Sequence, residues 1–360
     1  MFEALDQLVA IFGETPTIAA AVVDSLPDEL SFLLIGPRSI AFLRHAKKCL
    51  GHFDNNLLPT EQNKSDFVRA IQQLDTGNQS LLLIPIDDRA IRLLHSVDRL
   101  NTPRYPIPDS RTFETLNDKW QFYQHCSELG VRVPHTILLG DKAEIDFELV
   151  CATVGLPFVL KPTNRTDGLG VQLIRSKDDL QGKVLSQRNY NFAPLIAQSF
   201  VPGQDIDMSA LVDRGRIKHF AIQMRKKDAL WFVKSADFVK LTETVVGELS
   251  YTGVVHIDAR LDCRSREIFL IEANPRFWAS LAEATAGGLN FVRAGIYASA
   301  GLEGPDPTTL SEVSVPSLKK LLAQILTFKR SYFKMARIDR LRLRRGMRIQ
   351  TRRGLSLLTR

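Results

Sequence analysis

The sequence predicts an α/β (α+β) chain, with a small doubly wound unit over residues 1–107 and a strand-rich body behind it. Three observations predict this. Ser31-Phe32-Leu33-Leu34-Ile35-Gly36-Pro37 and Ser80-Leu81-Leu82-Leu83-Ile84-Pro85-Ile86-Asp87-Asp88 are unbroken apolar runs, as in strands buried on both faces of a parallel sheet. Ile40 to Leu50, between them, carries helical periodicity. Far downstream, the apolar runs Gly253–Asp258 and Ile268–Glu272 flank a turn-like segment, Asp262-Cys263-Arg264-Ser265-Arg266, the pattern of an antiparallel hairpin.

The front unit lacks GxGxxG, so it is not read as a dinucleotide site. Asp87 and Asp88 end a strand, where doubly wound sheets bind ligands, although a solvated turn explains them almost as well. Pro103 to Pro108 reads as the linker to the body. A chain of 360 residues, 44% hydrophobic and 24% charged, can build two or three sub-domains with substantial cores. Cys49, Cys126, Cys151 and Cys263 are far apart without CxxC spacing, which suits reduced thiols rather than a zinc site or a disulfide framework. The seven histidines make no HxxH or HExxH pair. With no signal peptide and no apolar run of membrane-spanning length, a cytoplasmic location is expected.

Three pieces of the body carry chemistry. Leu156-Pro157-Phe158-Val159-Leu160-Lys161-Pro162 is a short strand that delivers a lysine. The polar loop Thr163 to Gly170 follows, where Gly168 and Gly170 let backbone N–H groups approach an anion closely. No Gly-Lys-Ser/Thr follows, so this is not a Walker loop, and Gly-x-Gly hairpins are common. Next, Leu195 to Val201 runs into a Pro-Gly turn with Asp205 beyond it. Last, Asp258 and Glu272 end the two hairpin strands, and Glu272 opens Glu272-Ala273-Asn274-Pro275-Arg276. Two acids and an amide oxygen are ligands for a hard divalent cation, and an arginine two residues on is a phosphate clamp. In an isolated hairpin such acids would merely be solvated. His256 shares the Asp258 face of its strand, as a substrate contact or, more simply, a satisfied core histidine.

In this order the pieces resemble the ATP-grasp superfamily. The resemblance also takes in Asn117-Asp118-Lys119-Trp120, where an Asp-Lys opens a helix, and Gly130 to Pro134, which leads to the next strand. The continuation Phe277-Trp278-Ala279-Ser280-Leu281 looks like the carboxylate–amine ligase branch. The resemblance implies a doubly wound pre-ATP-grasp domain (1–107) and an ATP-grasp module (108–300), with a lid subdomain over about 120–195 and a metal-bearing subdomain over about 196–300. It implies that Lys119 and Lys161 hold nucleotide phosphates under the Gly168–Gly170 loop. Gln198, Ser199 and Val201 would line the adenine hinge, and Asp205 would bind ribose. Asp258, Glu272 and Asn274 would ligate Mg²⁺ (or Mn²⁺), and Arg276 would stabilise the transferring phosphate. Arg225, in the stretch His219 to Lys227, is a candidate second clamp on phosphate or substrate, although a plain surface basic run explains it almost as well. Asp205 and Asp258 stand where glutamate is common in the family, and Gln198-Ser199 where Glu or Lys is common.

The activity so implied is an ATP-dependent ligase. It would join a small carboxylate to an amine through an acyl phosphate, releasing ADP and phosphate. A carboxylase-like or kinase-like enzyme on the same nucleotide site, or a non-catalytic nucleotide-binding scaffold, are the alternatives. A homodimer would suit the resemblance. The end of the chain, 301–360, reads as a partly helical basic tail: residues 317–360 hold fourteen Lys/Arg against Asp339, and 318–335 carry an apolar stripe. Such an arm suits an anionic partner or a membrane surface, or it packs back on the body with its charges in solvent. Few aromatics and no recognised fold there argue against sequence-specific nucleic-acid reading.

Overall fold

Apolar runs become buried strands from the start of the chain in the computed structural model, which describes residues 7–74, 80–97, 100–226 and 229–316. The front unit comprises β1 (Gln7–Phe12), α1 (Pro16–Ser25), β2 (Ser31–Gly36), β3 (Cys49–Asp54), α2 (Glu61–Leu74), β4 (Ser80–Pro85) and α3 (Asp88–Ser96). Its four strands pair in parallel in the order β3-β2-β1-β4. Pro16 at the first turn presets the backbone of α1, and Asp87 caps α3 by accepting from the Ala90 N–H. Asp87 also accepts from the N–H groups of Glu14 and Thr15, at 2.7 and 3.0 Å, and so ties together the turns after β1 and β4.

The helical reading of Ile40 to Leu50 is corrected. Only Ala41–His45 coils, as a short 3₁₀ stretch, and the chain then enters β3 at Cys49 through Lys48 in the left-handed region (φ 70°). Ile40 and Leu43 are buried as the stripe requires, but Leu50 is 62% exposed on the edge strand. Pairing with β2 outweighs a local helical pattern here.

The Pro103 to Pro108 segment runs beside β4, with Tyr105 buried beneath it. The Tyr105 hydroxyl donates to the Phe291 carbonyl at 2.7 Å. Its ring also fills the space where a side chain at Gly295 would stand. Then come α4 (Ser110–Asn117), α5 (Lys119–Glu128), β5 (Thr136–Leu139), α6 (Phe147–Val154), β6 (Phe158–Pro162), β7 (Gln172–Ile174), α7 (Lys177–Leu180) and β8 (Leu195–Ser199). These four strands form an antiparallel sheet, β5-β8-β6-β7, with its own core around Phe158, Leu160 and Val184.

The third sheet is the largest. It is built from β9 (Gly203–Asp213), β10 (Arg216–Lys226), β11 (Ala229–Val233), β12 (Gly253–Asp262) and β13 (Ile268–Asn274), with α8 (Ala236–Glu248) inserted before β12. After α9 (Leu281–Gly287) and α10 (Phe291–Ser299), β14 (Thr309–Leu310) and β15 (Val313–Pro316) complete it, in the order β13-β12-β9-β10-β11-β15 with β14 beside β10. β14 and β15, within 309–316, thus join this sheet, while the basic segment 317–360 and its apolar stripe lie outside the described residues. One core unites the front sheet with the region after β13: Val9, Ile11 and Val22 share it with Phe277, Trp278 and Phe291. No helix among the described residues is long and apolar enough to cross a membrane.

Candidate active site

Three adjacent strands bring the acids into one row. The β12–β13 register sets Asp258 opposite Glu272 and His256 opposite Asn274, while β9 sets Asp207 opposite Asp258 and Ser209 opposite His256. A bulge falls between Asp258 and Ala259, the kind of local kink that re-aims a side chain. The Glu272 carboxylate faces both lysines, 3.3 Å from Lys119 Nζ and 3.8 Å from Lys161 Nζ.

Each lysine arrives on a different element. Lys161 is on β6, buried, and burial pulls its ammonium down to about 8; Glu272 opposes that shift and Lys119 adds to it. Lys119 is the first residue of α5, whose cap is Asp118. Its Nζ donates to the Arg165 carbonyl at 2.7 Å, and its backbone N–H donates to Thr163. Lys119 therefore secures the glycine loop from below. Gly168 and Gly170 both sit in the left-handed region, at φ 70° and 81°. Gly170 packs against Phe192 and accepts from the Tyr190 hydroxyl at 2.6 Å, so a side chain there would meet both strain and a clash.

Asn274 donates through Nδ2 to Asp258 Oδ2 at 2.9 Å, and its Oδ1 accepts from Arg276 Nη2 at 2.9 Å. Arg276 also donates to the Phe277 carbonyl and, from Nε, to Asp88 of the front unit at 2.8 Å. His256 is satisfied at both nitrogens, by the Ser209 hydroxyl at 2.9 Å and by Asp258 at 3.2 Å, and stacks on Trp278 with ring centres 5.4 Å apart. Those contacts agree with the core-histidine reading, although the ring also walls the cleft. Burial disfavours charge on both members of this pair; mutual attraction prevails, holding His256 above and Asp258 below its ordinary value. Burial lifts the Asp207 carboxyl to about 6; His256 opposes the rise and Asp258 adds to it.

A cleft of about 390 Å³ opens over these groups, walled by Gly168, Asp207, Gln223, Arg225, Asp258 and Glu272, with Asn274, Arg276 and Ser280 further round. Arg225 reaches it from β10 with an exposed side chain. Lys119, Lys161, Asp258, Glu272, Asn274 and Arg276 thus form one linked cluster at and beside the cleft. The residues expected to line the adenine lie apart, along β8 and the start of β9. Gln198 donates its side chain to Thr136, and the Ser199 hydroxyl donates to the Val154 carbonyl. Both side chains are turned inward, and β8 is paired on both edges by β5 and β6, so neither residue offers a free group to a nucleobase edge. The Val201 carbonyl accepts from Arg260 Nε at 2.7 Å, and Asp205 pairs with Arg260 at 2.6 Å while its side chain stays 76% exposed.

Arg260 also donates to the Gly203 carbonyl and lies 5.3 Å from the Phe200 ring centre, so it braces the segment from Phe200 to Asp205. Sequence reasoning misses Arg260 because its partners sit on another strand. Asp207 had a faint signal, the Asp205-x-Asp207 alternation that puts two acids on one strand face. Asp258, Glu272 and Asn274 carry the hard oxygen donors that Mg²⁺ takes, although the Asn274 amide turns its nitrogen to Asp258. Asp207, His256 and Asp258 hold one ligand atom each within 4.8 Å of one another.

Residues 116–280 match the model of the ATP-grasp domain. Among curated relatives, a D-aspartate ligase of Enterococcus faecium is 25% identical over 303 residues, 69% of this chain and 70% of that protein. The L-amino acid ligase from Bacillus licheniformis superposes with a TM-score of 0.63 at 16% identity, over 81% of this chain and 73% of that one. N5-carboxyaminoimidazole synthetase from Staphylococcus aureus, solved with ADP, gives 0.65 at 14% identity, over 83% and 78%. At such identities the two structures speak for the fold. Over residues 116–280 the chain is thus similar to ATP-grasp domains, with C–N-forming ligases among its relatives.

Proposed function

We propose that the chain joins a small carboxylate to an amine at the expense of ATP, through an acyl phosphate, releasing ADP and phosphate. The observation that carries this is Glu272. It lies opposite Asp258 on the hairpin and within 3.8 Å of both buried lysines, so metal ligands and phosphate counter-charges converge at one point. In this reading Lys119 and Lys161 take the phosphate oxygens and the Gly168–Gly170 loop covers them. Backbone beyond the end of β8, toward Val201, receives the adenine edge, and Asp205, steadied by Arg260, receives ribose. Mg²⁺ held by Asp258, Glu272 and Asn274 would neutralise charge on the transferring group. Arg276 and Arg225 line the same cleft, where an acceptor would sit.

Phosphoryl transfer needs positioning and charge neutralisation rather than a protein nucleophile, and the site offers those. The cleft walls carry both signs, with Arg225 and Arg276 against Asp207 and Glu283, which favours an amino acid as one substrate. The test is ADP release from MgATP against pooled amino acids and small carboxylic acids, with Glu272→Gln as control. Turnover that needs one acid and one amine, and is lost in Glu272→Gln, is expected. An active Glu272→Gln enzyme would sink the metal assignment, and ADP release indifferent to amines would sink the ligase.

A further inference from the structure

Of the two acids that follow β4, Asp87 is consumed locally by the turns of the front unit, as its bonds to Glu14, Thr15 and Ala90 show. Asp88 turns the other way. Its Oδ1 receives Arg276 Nε at 2.8 Å, across 188 residues of sequence, with side chains only 19% and 10% exposed. Arg276 in turn donates to Asn274 Oδ1, and Asn274 Nδ2 donates to Asp258. A guanidinium only donates and a carboxylate only accepts, so this chain of bonds admits one orientation of the amide. The oxygen end faces Arg276, with a second lone pair to spare, and the nitrogen end faces Asp258.

The geometry points to Asp88 as a positioning residue of the metal-bearing hairpin: it holds Arg276, and Arg276 sets which end of the Asn274 amide carries the oxygen. The inference rests on the proposed metal assignment for Asp258, Glu272 and Asn274. It makes the front unit a working part of the site. An Asp88–Arg276 pair that served only to join the two units would change stability and nothing else. Outer partners that orient a metal ligand behave differently, and their loss costs about 10–100-fold in metal affinity or activity.

The experiment is Mn²⁺ binding to the ADP complex of the full chain, followed by electron paramagnetic resonance beside the unfolding temperature. It compares the parent with Asp88→Asn, Asp88→Glu, Arg276→Gln and the double variant Asp88→Asn/Arg276→Gln. Asp88→Asn is expected to weaken Mn²⁺ binding about 10–100-fold, with Asp88→Glu in between. The double variant is expected to bind no more weakly than Arg276→Gln alone, because both changes act through one amide. Parent-like Mn²⁺ affinity in Asp88→Asn, or losses that simply add in the double variant, would overturn the proposal. If Asp88→Asn does not fold, Asp88→Glu decides: weakened binding supports the role, and parent-like binding with a lowered unfolding temperature refutes it. Cation binding needs no acceptor substrate, so failure of the ligase reading leaves this result standing. A parent protein that binds no Mn²⁺ with ADP would remove both the metal assignment and the role of Asp88.

Discussion

Lys161→Met should make the nucleotide-free protein more stable while ruining its grip on ATP. Burial holds the Lys161 ammonium at about 8, against an ordinary 10.5. At neutral pH that gap corresponds to roughly 3 kcal/mol of folding free energy spent on keeping the side chain charged. The sign follows from the proton count. Between about 8 and 10.5 the unfolded chain holds a proton that the folded chain has released, so stability rises with pH across that window. Methionine is unbranched like the lysine stem, one atom shorter and uncharged, and Glu272 keeps Lys119 at 3.3 Å. Urea unfolding at pH 7 should therefore show Lys161→Met more stable by about 1–3 kcal/mol, with the advantage fading as pH approaches 10.5. MgADP affinity should fall by about tenfold or more, the worth of a charged hydrogen bond. A variant less stable than the parent at pH 7, or a difference flat with pH, would refute the reasoning.

Two other changes probe the joints of the molecule. Tyr105→Phe leaves the Phe291 carbonyl buried without its 2.7 Å donor, and urea unfolding should register a loss of about 1–3 kcal/mol. Arg260→Ala removes the brace that holds the Val201 and Gly203 carbonyls and Asp205; KM for ATP should rise about tenfold with kcat little changed. An unchanged KM would show that the hinge stands without it.

What was legible in the sequence was local. Asp258 and Glu272 lie on strands joined by a tight turn, so the hairpin itself brings them close, while the bulge between Asp258 and Ala259 that sets them face to face has no sequence signal. Lys119 announces itself through the Asp118 cap, and Lys161 through the short strand before the glycine loop. What was not legible is set by pairing at long range. Asp88 as the partner of Arg276 and Arg260 as the partner of Asp205 become visible only once the sheets are assembled. The same holds for Gln198 and Ser199. The sequence places them on the hinge strand, but only the packing of β5 and α6 turns their side chains inward to Thr136 and Val154. In the front unit, a helical stripe at Ile40 to Leu50 yields to an edge strand because β2 offers a row of unpaired backbone groups. Parallel neighbours such as β3-β2-β1-β4 are not announced by any local turn.

The most direct test of the central claim follows an oxygen atom. A carboxylate substrate labelled with heavy oxygen, once identified by the ADP-release screen, should pass one labelled oxygen into the phosphate released with product. That transfer is the signature of a carboxylate that attacked the γ-phosphate. Product formed alongside unlabelled phosphate would contradict the acyl-phosphate route.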